Sequence, residues 1–232
     1  MIDKLELLLA LAKEKHFGRA AEACGITQPS LSSALKNLEE QLGVRIVERG
    51  SRFQGFTPEG ERVLDWARRI VGDTRTMRQE ISALRRGLAG HLRIGVIPTA
   101  LPFMPELSMA FTTRYENVRV SILSMTSDAI LSSLDNLELD VGVSYIHTEQ
   151  QQRYKTVPLY EERYALLVAP GSPHAAWPSI TWAEAGRLPL CLLTPDMQNR
   201  RIIDRYLTET GSRASVRLES NSMTMLHVHV RS

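Results

Sequence analysis

Between residues 19 and 43 the chain carries a short helix, a tight connection and a second helix, and this punctuation limits the fold more than any other feature. Gly25 follows the run Arg19 to Cys24 and supplies the left-handed backbone that ends a helix, so Gly25-Ile26-Thr27 is read as the connection. Pro29 opens the next helix, where its missing N–H would go unbonded anyway. Thr27 or Gln28 can cap that helix, and Gly43 stops it after Leu42. Upstream, Leu5, Leu8, Leu9 and Ala12 fall at the i, i+3, i+4, i+7 spacing of a first amphipathic helix, interrupted at His16-Phe17-Gly18.

The helix beginning at Pro29 has two faces. Leu31, Leu35, Leu38 and Leu42 form one apolar stripe, and at ~100° per residue the opposite face carries Pro29, Ser32, Ser33, Lys36 and Glu40. Such a face suits the major groove of DNA. Serine bonds either base type, glutamine such as Gln28 bonds adenine in a bidentate manner, and lysine reaches guanine or phosphate. The same pattern also describes a plain solvated face; the helix–turn–helix geometry weighs towards DNA. From Val44 to Pro58, apolar and charged residues alternate around Gly50 and Gly55, which predicts a short two-stranded ribbon. Arg49 and Arg52 on this ribbon are placed to contact phosphates.

From Thr57-Pro58 to Gly87 the spacing predicts one long helix. Val63, Ala67, Ile70, Thr74, Met77, Ile81, Leu84 and Leu88 alternate at four and three residues, the seven-residue period of a coiled-coil seam. At ~1.5 Å per residue the seam runs for about 38 Å, too long to be covered by a small domain. A partner helix from a second subunit is the expected cover, and packing on the chain's own C-terminal domain is the alternative.

The combination Arg19-Ala20-Ala21-Glu22, Thr27-Gln28-Pro29-Ser30-Leu31-Ser32, Leu38-Glu39, Leu42-Gly43-Val44, Val47-Glu48-Arg49 and Thr57-Pro58-Glu59-Gly60 closely resembles the DNA-binding domain of LysR-type transcription regulators. The family usually has phenylalanine where Val47 stands, and commonly arginine or glutamine at Ser33. The resemblance implies that Gln28, Pro29, Ser32 and Ser33 face bases, with Ser30 in the same DNA-binding turn and Lys36, Arg49 and Arg52 near the phosphate backbone. It further implies that the long helix dimerises through Val63, Ala67, Ile70, Met77, Ile81 and Leu84. The implied partners are double-stranded DNA with an interrupted dyad, a small organic effector, RNA polymerase, and further copies of the chain in a homodimer or homotetramer.

Beyond Gly87 and Gly90 the pattern changes to alternating strands and helices. Strands are expected at Leu92 to Pro98, Arg119 to Met125, Val141 to Val143, Tyr164 to Ala169, Leu190 to Thr194 and Val216 to Glu219. Helices are expected at Thr99 to Tyr115, Ser127 to Leu137, Trp182 to Ala185, Gln198 to Thr210 and from Met223 onwards. Two such lobes resemble the type 2 periplasmic-binding-protein fold, the usual effector domain of LysR regulators. Ligands of open α/β sheets bind beyond the carboxyl ends of strands, near helix N-termini. Here those positions are Pro98 and Thr99, Thr126 and Ser127, and Thr194 and Asp196, where hydroxyls and free helical N–H groups favour a small organic anion; simple helix caps explain each position equally well. LysR regulators are usually longer by several tens of residues, so the second lobe is expected to be incomplete and the effector domain unstable.

The expected architecture is therefore multidomain, α+β and α/β. It comprises a winged helix-turn-helix at 1–58, a linker helix at 59–89 and an incomplete effector domain at 90–232, with lobes at 90–162 and 163–232. Charge agrees in sign: residues 1–90 hold 15 Lys and Arg against 12 Asp and Glu, whereas residues 91–232 hold 13 against 14. Cys24 and Cys191 form no CxxC pair and read as reduced packing residues, and the N-terminus lacks a secretory apolar stretch, so the expected compartment is the cytoplasm, away from membranes.

No cofactor or metal is expected, and no enzyme. Ser33-Ala34-Leu35-Lys36 fits S-x-x-K but has no K-T-G companion, and His227 and His229 would diverge on a helix. The alternatives are an architectural DNA-binder without effector control, and an enzyme built on a substrate-binding-protein-like domain.

Overall fold

The structure, a computed structural model, describes residues 1–48, 50, 53–146 and 154–231. The chain forms two compact units. The first contains Met1–Leu92 with Thr112–Arg119 and Ser132–Asp140; the second contains Arg93–Phe111, Val120–Leu131 and Val141–Ser232.

The first unit opens with α1 (Ile2–Glu14), α2 (Phe17–Ala23) and α3 (Gln28–Leu42). Their stripes meet in one core where Leu8, Leu11, Leu31 and Leu38 have no exposed surface. Burial of each such side chain is worth about 1.5–3 kcal/mol relative to leaving it in water. Two boundaries differ from expectation. Helix α2 starts at Phe17, because the His16 ring nitrogen Nδ1 accepts from the backbone N–H of Gly18 at 3.1 Å and of Arg19 at 3.3 Å. Helix α3 starts at Gln28, because Thr27 is its cap and accepts from Ser30 N–H at 3.3 Å. Gly25 and Gly43 take positive φ of 66° and 68°, as the turns require. Leu42 departs from its stripe and is 41% exposed, since Gly43 ends the helix before the last turn reaches the core.

In the expected ribbon, the described residues form an antiparallel bridge between Val47 and Phe56, supported by Glu48 N–H donating to Gly55 C=O at 3.0 Å. From there Thr57 caps α4 (Pro58–Arg86), accepting from Gly60 N–H at 2.9 Å and donating to Arg45 C=O at 2.5 Å. The long helix uses two different faces. Leu64, Ala67 and Val71 lie in the core against α1, whereas Ile70, Met77, Ile81 and Leu84 are 37%, 53%, 51% and 89% exposed. The expected seam is corrected at its start: Ala67 is wholly buried within its own unit, and Val63 packs partly against the same core. The cause is that the first turns of α4 pack on α1 through the row Leu64, Ala67 and Val71, and Ala67 belongs both to that row and to the expected seam.

The strands β1 (Gly90–Val96), β2 (Val118–Ser124) and β3 (Val141–Val143), most of whose residues belong to the second unit, form a sheet in the order β2-β1-β3, with β1 and β3 parallel and Ile94 opposite Val141. The expected helix after β1 is divided into a 3-10 turn at Pro98–Phe103 and α5 (Met104–Arg114). Pro102 lies inside that turn and has no N–H to give an α-helical ladder. Helix α6 (Ser127–Asp135) follows β2 and ends two residues before Leu137, which adopts a positive φ of 57°.

Further along, α7 (Trp182–Ala185), β4 (Pro189–Leu193), α8 (Gln198–Glu209), β5 (Ser215–Ser220) and α9 (Met223–Arg231) build a smaller layer around a parallel β4–β5 pair. Tyr164 to Ala169, expected as a strand, forms no ladder with any of the described residues. Its Leu166 packs on the Leu190, Leu192 and Leu207 cluster through its side chain alone, so the alternating pattern is satisfied without a ladder. Arg200, 7% exposed, ties this layer together by bonding Asp204 at 2.9 Å, Leu193 C=O at 2.9 Å and Glu219 at 2.6 Å. Among the described residues, no helix is long and apolar enough to cross a membrane.

Helix α4 leaves the ribbon at a point with no spare room. A Cβ at Gly60 would stand 2.1 Å from the carbonyl oxygen of Ile46. Gly60→Ala should therefore cost more than about 2 kcal/mol of stability, read from denaturant unfolding of the full chain. An unchanged midpoint would show that α4 does not approach the ribbon this closely.

Candidate functional site

The outward face of α3 is a direct result of burying its inward face. Leu31, Leu35 and Leu38 are 0%, 3% and 0% exposed, so Gln28, Pro29, Ser32, Ser33 and Lys36 stand on the open side, and all are exposed. Ser30 is exposed too, but its hydroxyl is engaged with the Thr27 hydroxyl at 2.8 Å in the helix cap. Lys36 lies 3.9 Å from Glu40, a loose pair at i,i+4 that leaves the ammonium hydrated. The flank of α3 is held from below, where Lys4 on α1 donates to Asn37 at 2.7 Å and to Gln41 at 3.1 Å. The face thus combines short hydroxyls, one amide and one cation on a rigid helix. Arg49 and Arg52, expected at phosphates, lie outside the described residues.

The His16 cap was not anticipated from sequence. It orients α2 against the turn that precedes α3, and Arg19 reinforces the entry by donating to Glu14 C=O at 2.6 Å. The available signal was a side-chain acceptor two residues before Gly18; histidine fills that place less often than serine, threonine or aspartate.

In the second unit the six expected effector positions have distinct surroundings. Pro98 is buried and opens the 3-10 turn. Thr99 places its hydroxyl 3.5 Å from the Tyr145 hydroxyl, which donates to Glu162 and accepts from Asn199 Nδ2 at 3.1 Å. Burial, then the bond to Glu162, pushes the Tyr145 phenol well above its usual pKa. Thr126 accepts from Ala129 N–H at 3.1 Å and acts as the cap of α6. Ser127 is 5% exposed and accepts from the Ser144 hydroxyl at 3.0 Å. Asp196 is exposed, while Thr194 keeps a buried hydroxyl without a protein partner among the described residues.

A groove of about 660 Å³ runs along this unit, with Thr99, Phe103, Tyr164, Leu192, Asn199 and Leu226 among its walls. Of the expected positions the groove gathers only Thr99; Thr126, Ser127, Thr194 and Asp196 do not line it. Tyr145, Glu162 and Asn199 were missed by sequence reasoning, because residues from three separate segments converge without any local motif. Arg201 in the first turn of α8 reaches Asp128 in the first turn of α6 at 3.1 Å. Cys191 lines the groove, whereas Cys24 lies in the first unit, where burial raises its thiol pKa. Among the described residues, no cluster of three or more His, Cys, Asp or Glu is placed to hold a metal ion.

Comparison with known proteins places both parts of this chain. Residues 2–61 match the bacterial regulatory helix-turn-helix protein of the lysR family, and residues 85–232 match the LysR substrate binding domain. The hydrogen peroxide-inducible genes activator of Haemophilus influenzae is 30% identical over 190 residues, covering 82% of this chain. The chain spans 60% of that relative's length. The DNA-binding transcriptional dual regulator OxyR of Escherichia coli is 27% identical over 226 residues, 97% of this chain and 74% of that protein. Among solved structures, a full-length OxyR variant from Pseudomonas aeruginosa shares the fold, with a TM-score of 0.62 at 24% identity over 99% of this chain and 74% of that one. With one match on the helix-turn-helix and the other on the α/β domain, the chain belongs to the LysR family of transcriptional regulators.

Proposed function

We propose that this chain binds a dyad DNA site sequence-specifically through α3 and that a small effector in the C-terminal domain controls that binding. The observation that carries the proposal is the exposed Gln28, Ser32, Ser33 and Lys36 face opposite the buried Leu31, Leu35 and Leu38. Side chains on such a face reach base edges when the helix lies in the major groove, and the basic ribbon residues Arg49 and Arg52 then add phosphate contacts. Two copies are needed to read a dyad, and the exposed Ile70, Met77, Ile81 and Leu84 row on α4 is the surface proposed to join them.

For the effector, the site's electrostatics favour one side. An anion at Thr99 would approach the Glu162 carboxylate, whereas the first turn of α8 carries Arg201 and the N-terminus of α6 adds the positive end of its helix dipole. A small organic anion is therefore proposed on the α6–α8 side, where it competes with Asp128 for Arg201. A peroxide is the second effector class, suggested by the names of the relatives and by the thiol of Cys191 on the groove. The two separate cleanly: Arg201→Ala should abolish the response of DNA binding to organic acids, and Cys191→Ser the response to peroxide.

The DNA-binding reading is tested by selecting bound sequences from a random duplex pool and then measuring variants. Gln28→Ala or Ser32→Ala should weaken the selected duplex by about 1–3 kcal/mol and leave random DNA nearly unchanged, while Arg52→Ala weakens both and flattens the salt dependence. Equal losses on both duplexes from Gln28→Ala would refute base reading. For assembly, Ile81→Glu and Leu84→Glu should shift the chain to monomer in analytical ultracentrifugation; an unaltered oligomer would place the interface elsewhere.

A further inference from the structure

Helix α3 carries one acidic residue that faces neither DNA nor open solvent. Glu39, half-buried next to Leu38, turns its carboxylate towards the segment that follows the helix. Its Oε1 accepts from the backbone N–H of Ile46 at 2.7 Å and of Val47 at 3.1 Å. The Glu39 main-chain carbonyl accepts from Gly43 and, at 3.2 Å, from Val44. One residue of α3 therefore holds both the turn that ends the helix and the first two peptides of the ribbon.

The same peptides are held from the other side. Val47 bridges Phe56, and the carbonyl of Ile46 accepts from Thr57 N–H at 2.9 Å. Thr57 in turn caps α4, whose Gly60 lies so close to Ile46 that no Cβ fits. Helix α3, the ribbon and α4 are fastened at a single place, and Glu39 is the member that belongs to α3. Two N–H groups donating to one carboxylate oxygen are charge-assisted bonds, stronger than neutral ones, and they offset the cost of holding the charge partly out of water.

We infer that Glu39 is a positioning residue for DNA recognition: its carboxylate fixes the base of the ribbon relative to the reading face of α3. The inference rests on the proposed DNA-binding function. It assigns Glu39 no contact with bases or phosphates. Its effect comes through the ribbon, which supplies affinity common to all sequences, so loosening the anchor should weaken selected and random duplexes alike. Weakening of that kind also lowers the salt slope, by about one for each phosphate that the protein no longer neutralises.

Two variants separate reach from charge. Glu39→Asp keeps the charge but draws the carboxylate back by about one bond length, ~1.5 Å, out of range of two amides. Glu39→Gln keeps the length and an acceptor oxygen but removes the charge. The inference predicts that Glu39→Gln binds both duplexes within about twofold of wild type, while Glu39→Asp binds both about tenfold more weakly with a flatter salt dependence. Hydrogen exchange reads the anchor without DNA: the Ile46 and Val47 amides should exchange at least about tenfold faster in Glu39→Asp and by a clearly smaller factor in Glu39→Gln, whose amide oxygen still reaches both N–H groups but accepts without the charge.

The opposite pattern overturns the inference. If Glu39 acted only as a negative charge near DNA, Glu39→Asp would match wild type and Glu39→Gln would bind more tightly. Equal losses from both variants would also overturn it. A wild-type chain that binds no duplex would overturn the DNA-binding reading together with this one, whereas wild-type binding with an unaffected Glu39→Asp would remove this inference alone.

Discussion

Leu31, Leu35 and Leu38 lie on one side of a helix barely four turns long, and their burial against α1 and α2 decides which residues of that helix can touch anything outside the chain. Turning the reading face inward would expose three leucines, at about 1.5–3 kcal/mol each, and would bury Lys36 without a partner of matching geometry. The orientation of Gln28, Ser32, Ser33 and Lys36 is thus a by-product of the core. Everything nearby serves to hold that orientation: the Thr27 cap sets where the helix begins, Gly43 sets where it ends, and Lys4 grips its flank through Asn37 and Gln41.

Much of this was legible in the residues themselves, because helix caps, leucine spacing and left-handed glycines act over a few positions. The first three helices and the long linker helix followed from such local signals. Where tertiary geometry intervenes, sequence reading strays. On α4 one repeating pattern conflates two surfaces, and Ala67 belongs to the row with Leu64 and Val71 that packs inward, while Ile70, Met77, Ile81 and Leu84 lie outward. Leu42 fits its stripe by number but lies beyond the last supported turn. The His16 cap uses a residue type that propensity ranks below the usual caps.

The C-terminal domain shows the same division at larger scale. Strand and helix alternation was readable, yet Tyr164 to Ala169 has the composition of a strand without a ladder among the described residues, since pairing depends on a neighbour that no local pattern can specify. Of the expected effector positions, Thr126 proves to be a helix cap and Ser127 a buried hydroxyl bonded to Ser144. The polar cluster of Tyr145, Glu162 and Asn199 beside Thr99 assembles residues far apart in the chain. Its carboxylate changes the electrostatic character of that end of the groove, and this is why the proposed anion is assigned to the side bearing Arg201.

The central claim is that the polar face of α3 meets DNA. The most direct measurement is an amide chemical-shift titration of the isotope-labelled chain with a duplex recovered by selection, compared with a random duplex of equal length. The account predicts that the largest duplex-specific shifts fall between Gln28 and Lys36, with the core amides of Leu8 and Leu11 little changed. If α3 stayed silent while the specific shifts gathered on another surface, the helix would not be the reading element and the account would be contradicted.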